Sequence, residues 1–195
     1  MPRFKRVLQS TFPYHVTDRT VNKVPFPLDM KRLWRVFSDR LHFCSFAFNI
    51  EVHAFVLMPN HYHLIVQCPE NNLSKFMTYF NREISKEINF LSGKINQNFG
   101  SRYYSTVVDD PRYYLTVYRY VYRNPVEAGL AETVEAYPYS SFQFVLGKRK
   151  FEFPVFDYPV IESGHYLDLN WLNKSYKSDE KSKIRTALKK AYFKE

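Results

Sequence analysis

An α+β sandwich, with one antiparallel sheet carrying two helices on one face, is the architecture this sequence predicts, on three observations. Four short runs alternate apolar and polar residues with period two; two longer runs place apolar residues at helical spacing; and the runs follow one another as strand, helix, strand, strand, helix, strand. That order is the split βαβ unit of ferredoxin-like and RRM-like domains. With 195 residues, 45% apolar and 18% aromatic, the chain can bury one proper core, which excludes a disordered or fibrous protein.

The elements follow in chain order. FPYHVTDR (12–19) alternates as a strand, and Met30, Leu33, Trp34, Phe37 and Leu41 share one stripe of a helix over 30–43, with Asp29 as its cap. SFAFNIEVHAFVL (45–57) alternates again, with Phe46, Phe48, Ile50 and Val52 on one side, and Pro59-Asn60 turns the chain into HYHLIVQC to make a hairpin. Leu73, Phe76, Met77, Phe80, Ile84 and Ile88 form the apolar stripe of a helix over 71–92, capped by Asn71 or Asn72. A strand YYSTVVD (103–109) precedes Asp110-Pro111, which reads as an N-cap with proline in the first helical position. The helix that starts there is expected to stop at about 123, before Pro125, and to lie near the second sheet face, which the two-helix sandwich leaves open for function. The recognisable unit spans 1–147. Within it YPYSSFQFVLG suggests a short helix, and 148–195 is a C-terminal extension: a Pro- and aromatic-rich stretch over 151–166, then a basic tail, helical around KSKIRTALKKAY.

Net charge is +9, which points toward a polyanionic partner, but the last 25 residues hold eight Lys or Arg against three Asp or Glu and so carry +5 of it. Sixteen Tyr and eighteen Phe exceed the needs of a core this size, and aromatic faces are what single-stranded bases stack on. Cys44 and Cys68 stand far apart with no C-x-x-C, which suggests neither a disulfide framework nor a thiolate zinc site. No stretch approaches the roughly 18 apolar residues of a membrane span, and no apolar run follows the basic N-terminus, so a soluble, cytoplasmic protein is expected.

Two constellations carry chemistry. His61 and His63 bracket Tyr62 at the start of a strand, so both imidazoles point to one face while Tyr62, Leu64 and Val66 point to the other. Neutral, they make two-thirds of a facial metal site; protonated, an anion contact; unused, a pair of half-buried histidines at a turn. In YRYVYRNPVEAGL, Tyr114, Val117 and Val121 form the packing stripe of the third helix. Tyr120 and Asn124 stand one turn apart on its flank, with Tyr118 and Tyr122 on the wetter side.

Together these stretches resemble a known family. YHVTDR (14–19), VLMPNHYHLIVQCPENNLSKFM (56–77), RYYSTVVDDPRYYL (102–115) and YRYVYRNPVEAGL (118–130) look like the REP-associated tyrosine transposases. These are a branch of the single-tyrosine HUH transposases, named for His, hydrophobic residue, His. The resemblance runs from about residue 3 to about residue 147. It implies that His61 and His63 are metal ligands, that Asn124 completes the metal site at a position often held by Gln, and that Tyr120, four residues before the Asn of Asn-Pro, is the nucleophile. Tyr118 and Tyr122 flank it as the alternatives. The family pattern further implies a bacterial, cytoplasmic enzyme, monomeric or homodimeric, that cuts and rejoins single-stranded DNA beside REP-like hairpins through a 5′-phosphotyrosine. A divalent ion, Mg²⁺ or Mn²⁺, is implied, and no nucleotide cofactor. In agreement, the Gly-Lys pairs at 93 and 147 have Ile88 and Phe142 where a P-loop requires its first glycine.

Arg19, Arg102, Arg112, Arg119 and Arg123 are candidate DNA contacts. Two departures bear on binding: Asp18-Arg19-Thr20 stands where relatives carry Ser-Arg-Gly, and Gly100-Ser101-Arg102 where they carry Gln-Gly-Arg. An RRM-like module that binds single strands without cutting accounts for the charge and the rings, but not for the coincidence of H-x-H, Tyr120 and Asn124. A plasmid relaxase or rolling-circle initiator shares H-x-H in a larger architecture. A structural zinc protein needs more strong ligands than the two visible.

Overall fold

The computed structural model describes residues 7–95, 97–100, 102–150, 152–158 and 168–194. Strand β1 (Tyr14–Arg19) leads through a single 3-10 turn (Val21–Lys23) to helix α1 (Met30–Ala47). Strands β2 (Glu51–Met58) and β3 (His61–Gln67) form the hairpin, followed by α2 (Leu73–Ser92), β4 (Tyr104–Val107) and α3 (Pro111–Glu127). The sheet order is β2-β3-β1-β4, antiparallel throughout, as the split βαβ unit requires. Shorter helices α4 (Phe142–Val145), α5 (Leu169–Asn173) and α6 (Glu180–Ala187) complete the chain. Of the irregular stretch expected over 151–166, residues 151 and 159–166 lie outside the described residues.

Strand parity sorts the side chains into two cores. Tyr14, Val16, Val52, Phe55, Leu57, Tyr62, Leu64 and Val66 meet the α1 stripe (Leu33, Trp34, Phe37, Leu41) and the α2 stripe (Phe76, Met77, Phe80, Ile84, Ile88) in the first. Asp29 caps α1 by accepting from Arg32 N at 3.0 Å, and Asp110 caps α3 by accepting from Arg112 N at 2.8 Å. Asn72 occupies the N-cap of α2 without a side-chain cap; its Nδ2 donates instead to Phe48 O.

The second face of the sheet is covered, not open. Ala54, Val56, Met58 and Ile65 pack beneath Tyr114, Val117, Tyr118, Val121 and Tyr122 of α3, and Leu172, Ile184, Ala187, Leu188 and Phe193 of the extension close the same core. The C-terminal segment also extends the backbone network: Val107 N donates to Ala191 O and Phe193 N to Val107 O, both at 2.9 Å. The described residues 168–194 are therefore integral to the fold rather than appended to it. Covering this face removes a large apolar area from water, the dominant favourable term in folding.

Three local readings are corrected by packing. Helix α1 continues to Ala47, so β2 begins at Glu51 instead of 45: Cys44 and Ser45 prolong the buried stripe, while Phe46, which fits an alternating pattern, is 71% exposed. Asn49, at φ 46°, then reverses the chain in a conformation that Asn tolerates. Pro125 does not stop α3, which runs to Glu127; Gly129 at φ 68° ends it, with Leu130 N donating to Pro125 O. Tyr118 and Tyr122 are not on a wetter side; both are buried in the second core, because the extension packs over α3.

Candidate active site

Residues from three elements meet beneath α3. The β1–β3 register sets Thr17 opposite His63 and Arg19 opposite His61, so His15, Thr17 and Arg19 share the face of the two histidines. The His61 and His63 rings stand 5.1 Å apart, nearly perpendicular. His15 stacks on His63 at 5.2 Å, and its Nε2 lies 3.0 Å from His63 Nδ1, so one proton is shared between the two rings. The Tyr120 ring stands edge-on to both, 5.6 Å from His63 and 6.1 Å from His15.

Burial governs the electrostatics. It pushes His15 and His61 down to about 3, with Arg19 and Arg185 adding to the effect at His61, and it holds His63 well below the usual imidazole range, aided by its neighbours. All three rings are neutral at physiological pH, the form in which imidazole binds metal. Burial also raises the Tyr120 phenol above its ordinary value, opposed by the positive charges of Arg185 and Arg19 and by hydrogen bonding from Asn124.

The donor set suits a divalent ion: two neutral imidazoles, with an amide one helical turn from the tyrosine. Asn124 is half-buried, and its Nδ2 donates to Tyr120 O at 2.7 Å, which leaves Oδ1 as the atom able to ligate. Among the described residues no group of three or more His, Cys, Asp or Glu is arranged to hold a metal. His15 is unsuited to that role because its Nε2 is engaged with His63.

The candidate arginines divide. Arg19 and Arg112 are exposed, Arg112 beside Asp110 in a surface ion pair at 2.9 Å, and Arg102 is exposed on the approach to β4. Arg119 and Arg123 are buried and committed to the fold. Arg119 donates to Trp171 O and Lys174 O, pairs with Glu180 and lies over the Tyr176 ring. Arg123 donates to Leu172 O and pairs with Glu127. Contrary to their expected role as DNA contacts, these two are buried, and their cationic heads hold the extension against α3.

The Asp18-Arg19-Thr20 departure has a structural account. Asp18 faces α2 and accepts from Asn81 Nδ2, whose Oδ1 in turn accepts from the Tyr62 hydroxyl. Thr20 Oγ1 donates to Val24 O. Asp18 stays on the α2 side of the sheet, whereas Thr20 Oγ1 also donates to Asn60 O at 3.2 Å, beside His61.

Sequence reasoning missed three members of the site. Asn60 Oδ1 lies 2.6 Å from His61 Nδ1. His15 sits in a strand whose alternation marks its face but not its neighbour, and Arg185 belongs to a tail that reads as generic positive charge. The face an RRM-like module would offer to bases is the one α3 covers, with its rings buried.

Comparisons with known proteins converge on this region. Residues 12–124 match the family described as "Transposase IS200 like", a span that begins just before His15 and ends on Asn124. A Haemophilus influenzae protein named as a REP-associated tyrosine transposase is 31% identical over an alignment of 104 residues; the match covers 47% of this chain and 58% of that relative, little more than half the relative's length. The solved structure of a REP-associated tyrosine transposase bound to a REP hairpin superposes with a TM-score of 0.63 at 20% identity, over 82% of this chain and 96% of that one, which establishes a shared fold. With its family signature spanning more than half of its length, the chain belongs to the IS200-like transposase family.

Proposed function

We propose that this protein is a metal-dependent single-strand DNA endonuclease and strand transferase that acts beside hairpins through Tyr120. The observation that carries the reading is the position of the Tyr120 ring against the His63 ring, 5.6 Å apart, inside the family's signature region. Solved and curated relatives named for REP elements supply the substrate class, a single strand with a REP-like hairpin.

The chemistry follows from the residues. Tyr120 Oη attacks the scissile phosphorus, a P–O bond forms to the phenol and the bond to the 3′ oxygen breaks. The phenolic proton leaves to solvent, and the departing 3′ oxygen gains one to become a free hydroxyl. The phosphotyrosyl bond conserves the energy of the original linkage, so the reverse attack by a 3′-hydroxyl rejoins strands without a nucleotide cofactor. Family members use a divalent metal. Here neutral His61 and His63, with Asn124 Oδ1, would hold Mg²⁺ or Mn²⁺, which when bound supplies positive charge to the scissile phosphate.

The protein's own groups prepare the attack. Burial excludes water from Tyr120 but favours its protonated form, and the nearby charges of Arg19 and Arg185 work in the opposite direction. Those guanidinium groups also attract the DNA phosphates. Among the described residues no helix is long and apolar enough to cross a membrane, and a monomer or homodimer working in a bacterial cytoplasm is the setting we infer.

A labelled hairpin-bearing single strand incubated with protein and Mn²⁺, then resolved on denaturing gels, tests the reading. Wild type gives a covalent adduct that EDTA abolishes and that Tyr120→Phe does not form. An adduct retained by Tyr120→Phe refutes Tyr120 as the nucleophile.

A further inference from the structure

The hydrogen bonds around the two histidines do more than hold them in place. A neutral imidazole carries its proton on one nitrogen and a lone pair on the other, and only the lone-pair nitrogen ligates metal. Which nitrogen that is depends on what the opposite one meets.

At His61 the structure removes the ambiguity. Asn60 Nδ2 donates to Lys23 O at 2.6 Å, so the amide cannot be turned about: its oxygen faces His61. That oxygen lies 2.6 Å from His61 Nδ1 and can only accept, so Nδ1 carries the proton and Nε2 the lone pair. The Asn60 side chain is itself seated by a rigid arrangement. Lys23 has φ 61°, in the turn after β1; Thr20 N donates to Asn60 O at 2.9 Å and Phe26 N to Pro59 O at 2.8 Å. The loop after the first strand thus dictates the protonation pattern of a ring on the third.

His63 meets its partner through the same nitrogen. Its Nδ1 lies 3.0 Å from His15 Nε2, with the two rings stacked at an interplanar angle of 25°. If His15 accepts, His63 presents Nε2 as His61 does; if His15 donates, His63 Nε2 is protonated and cannot ligate.

We propose that Asn60 and His15 are positioning residues that fix His61 and His63 in the Nδ1–H tautomer, so that both rings offer Nε2 to one divalent ion. The inference rests on the reading of His61 and His63 as ligands. It assigns a role to two residues that need not touch DNA or metal, and it explains why His15 is buried against His63. Partners of this kind also raise the basicity of the ligand, and their loss costs metal affinity.

The first test uses the full-length wild-type chain, labelled with ¹⁵N in its histidines. Long-range ¹H–¹⁵N correlation spectra, assigned with His61→Gln and His63→Gln, report which nitrogen of each ring is protonated. The expected result is Nδ1–H for both. The second test titrates Mn²⁺ alone into Asn60→Leu and His15→Leu, which lack the acceptors, and into Asn60→Asp and His15→Gln, which keep one. The acceptorless variants lose about 10- to 100-fold in Mn²⁺ affinity, and the acceptor-keeping variants recover it. Asn60→Asp is the sharper of the two, since it keeps the acceptor while losing the contact to Lys23 O.

Protons found on Nε2 of either ring in the wild type, or acceptorless variants that bind Mn²⁺ within about twofold of wild type, overturn the assignment, whether or not Tyr120 forms its adduct. Failure of the wild type to bind Mn²⁺ in a manner that His61→Gln and His63→Gln weaken overturns the ligand reading, and the assignment with it.

Discussion

Three tyrosines crowd one stretch of α3, and their environments predict that stability and chemistry separate cleanly between them. Tyr122 is fully buried, and its hydroxyl lies 2.8 Å from Ser141 Oγ, which also accepts from Phe55 N at 2.8 Å. This relay joins α3, the segment before α4 and strand β2 inside the second core. Tyr122→Phe deletes the neutral hydrogen bond to Ser141, worth about 1 kcal/mol net, with a lesser one to Tyr118, and leaves the Ser141 hydroxyl with half its partners in a site closed to water, which adds a penalty of similar size. The sum is about 2 kcal/mol, or about 4–8 °C in Tm for a domain of this size. The Tyr120 hydroxyl hydrogen-bonds with Asn124 of its own helix and joins no second element among the described residues, so Tyr120→Phe changes Tm far less while abolishing the covalent adduct. Thermal denaturation of both variants, run beside the hairpin adduct assay below the melting transition, reads the two effects independently. A Tyr122→Phe protein that is folded yet forms no adduct, or a Tyr120→Phe protein that still forms one, refutes the assignment of roles.

The buried neutral histidines make the protein acid-sensitive. His15 and His61 are pushed down from about 6.5 to about 3, so the unfolded chain binds protons that the folded one does not; their contribution is complete above pH 6.5 and falls as pH drops toward 3, by about 1.4 kcal/mol per histidine per pH unit. Urea midpoints at pH 7 and pH 5 check this, and equal midpoints contradict it. Arg119→Met leaves Lys174 O without its guanidinium donor, Trp171 O with only the Lys174 N–H, and Glu180 without its cation, and is expected to cost about 2–4 kcal/mol, read as earlier proteolytic cleavage within 168–194 than in wild type. Arg19→Gln, at an exposed position, is expected to keep Tm but weaken single-strand binding and lower the slope of log K against log salt by about 1, measured by fluorescence anisotropy at several salt concentrations.

Much of the molecule is legible in the chain because much of it is periodic. Period two placed His61 and His63 on one face opposite Tyr62, Leu64 and Val66, and the structure has them there. Helical spacing identified the stripes of α1 and α2, and Asp29 and Asp110 marked the starts of α1 and α3 as local chemistry dictates. Where two periods competed, local pattern failed: Ser-Phe-Ala-Phe alternates like a strand, yet Ser45 belongs to the buried face of α1, because packing against the sheet outweighs a short alternating run.

What the sequence by itself determined is the order of the main elements and the periodic faces of β1, β3, α1 and α2, including the two-histidine pair, along with the Tyr120–Asn124 turn. Only the tertiary structure decided which faces meet. It brought His15 of β1 against His63, and it set Asn60 on His61 through a loop some forty residues earlier. It folded a basic tail over α3, so that Arg185 acts on the site while Arg119 and Arg123 serve as internal struts. It closed the face that a two-helix sandwich leaves open. The physical reason is that periodicity is written by neighbours three or four residues apart. Strand register and the docking of a distant helix are instead selected by the apolar area and the paired polar groups of the whole assembly, which no local window contains.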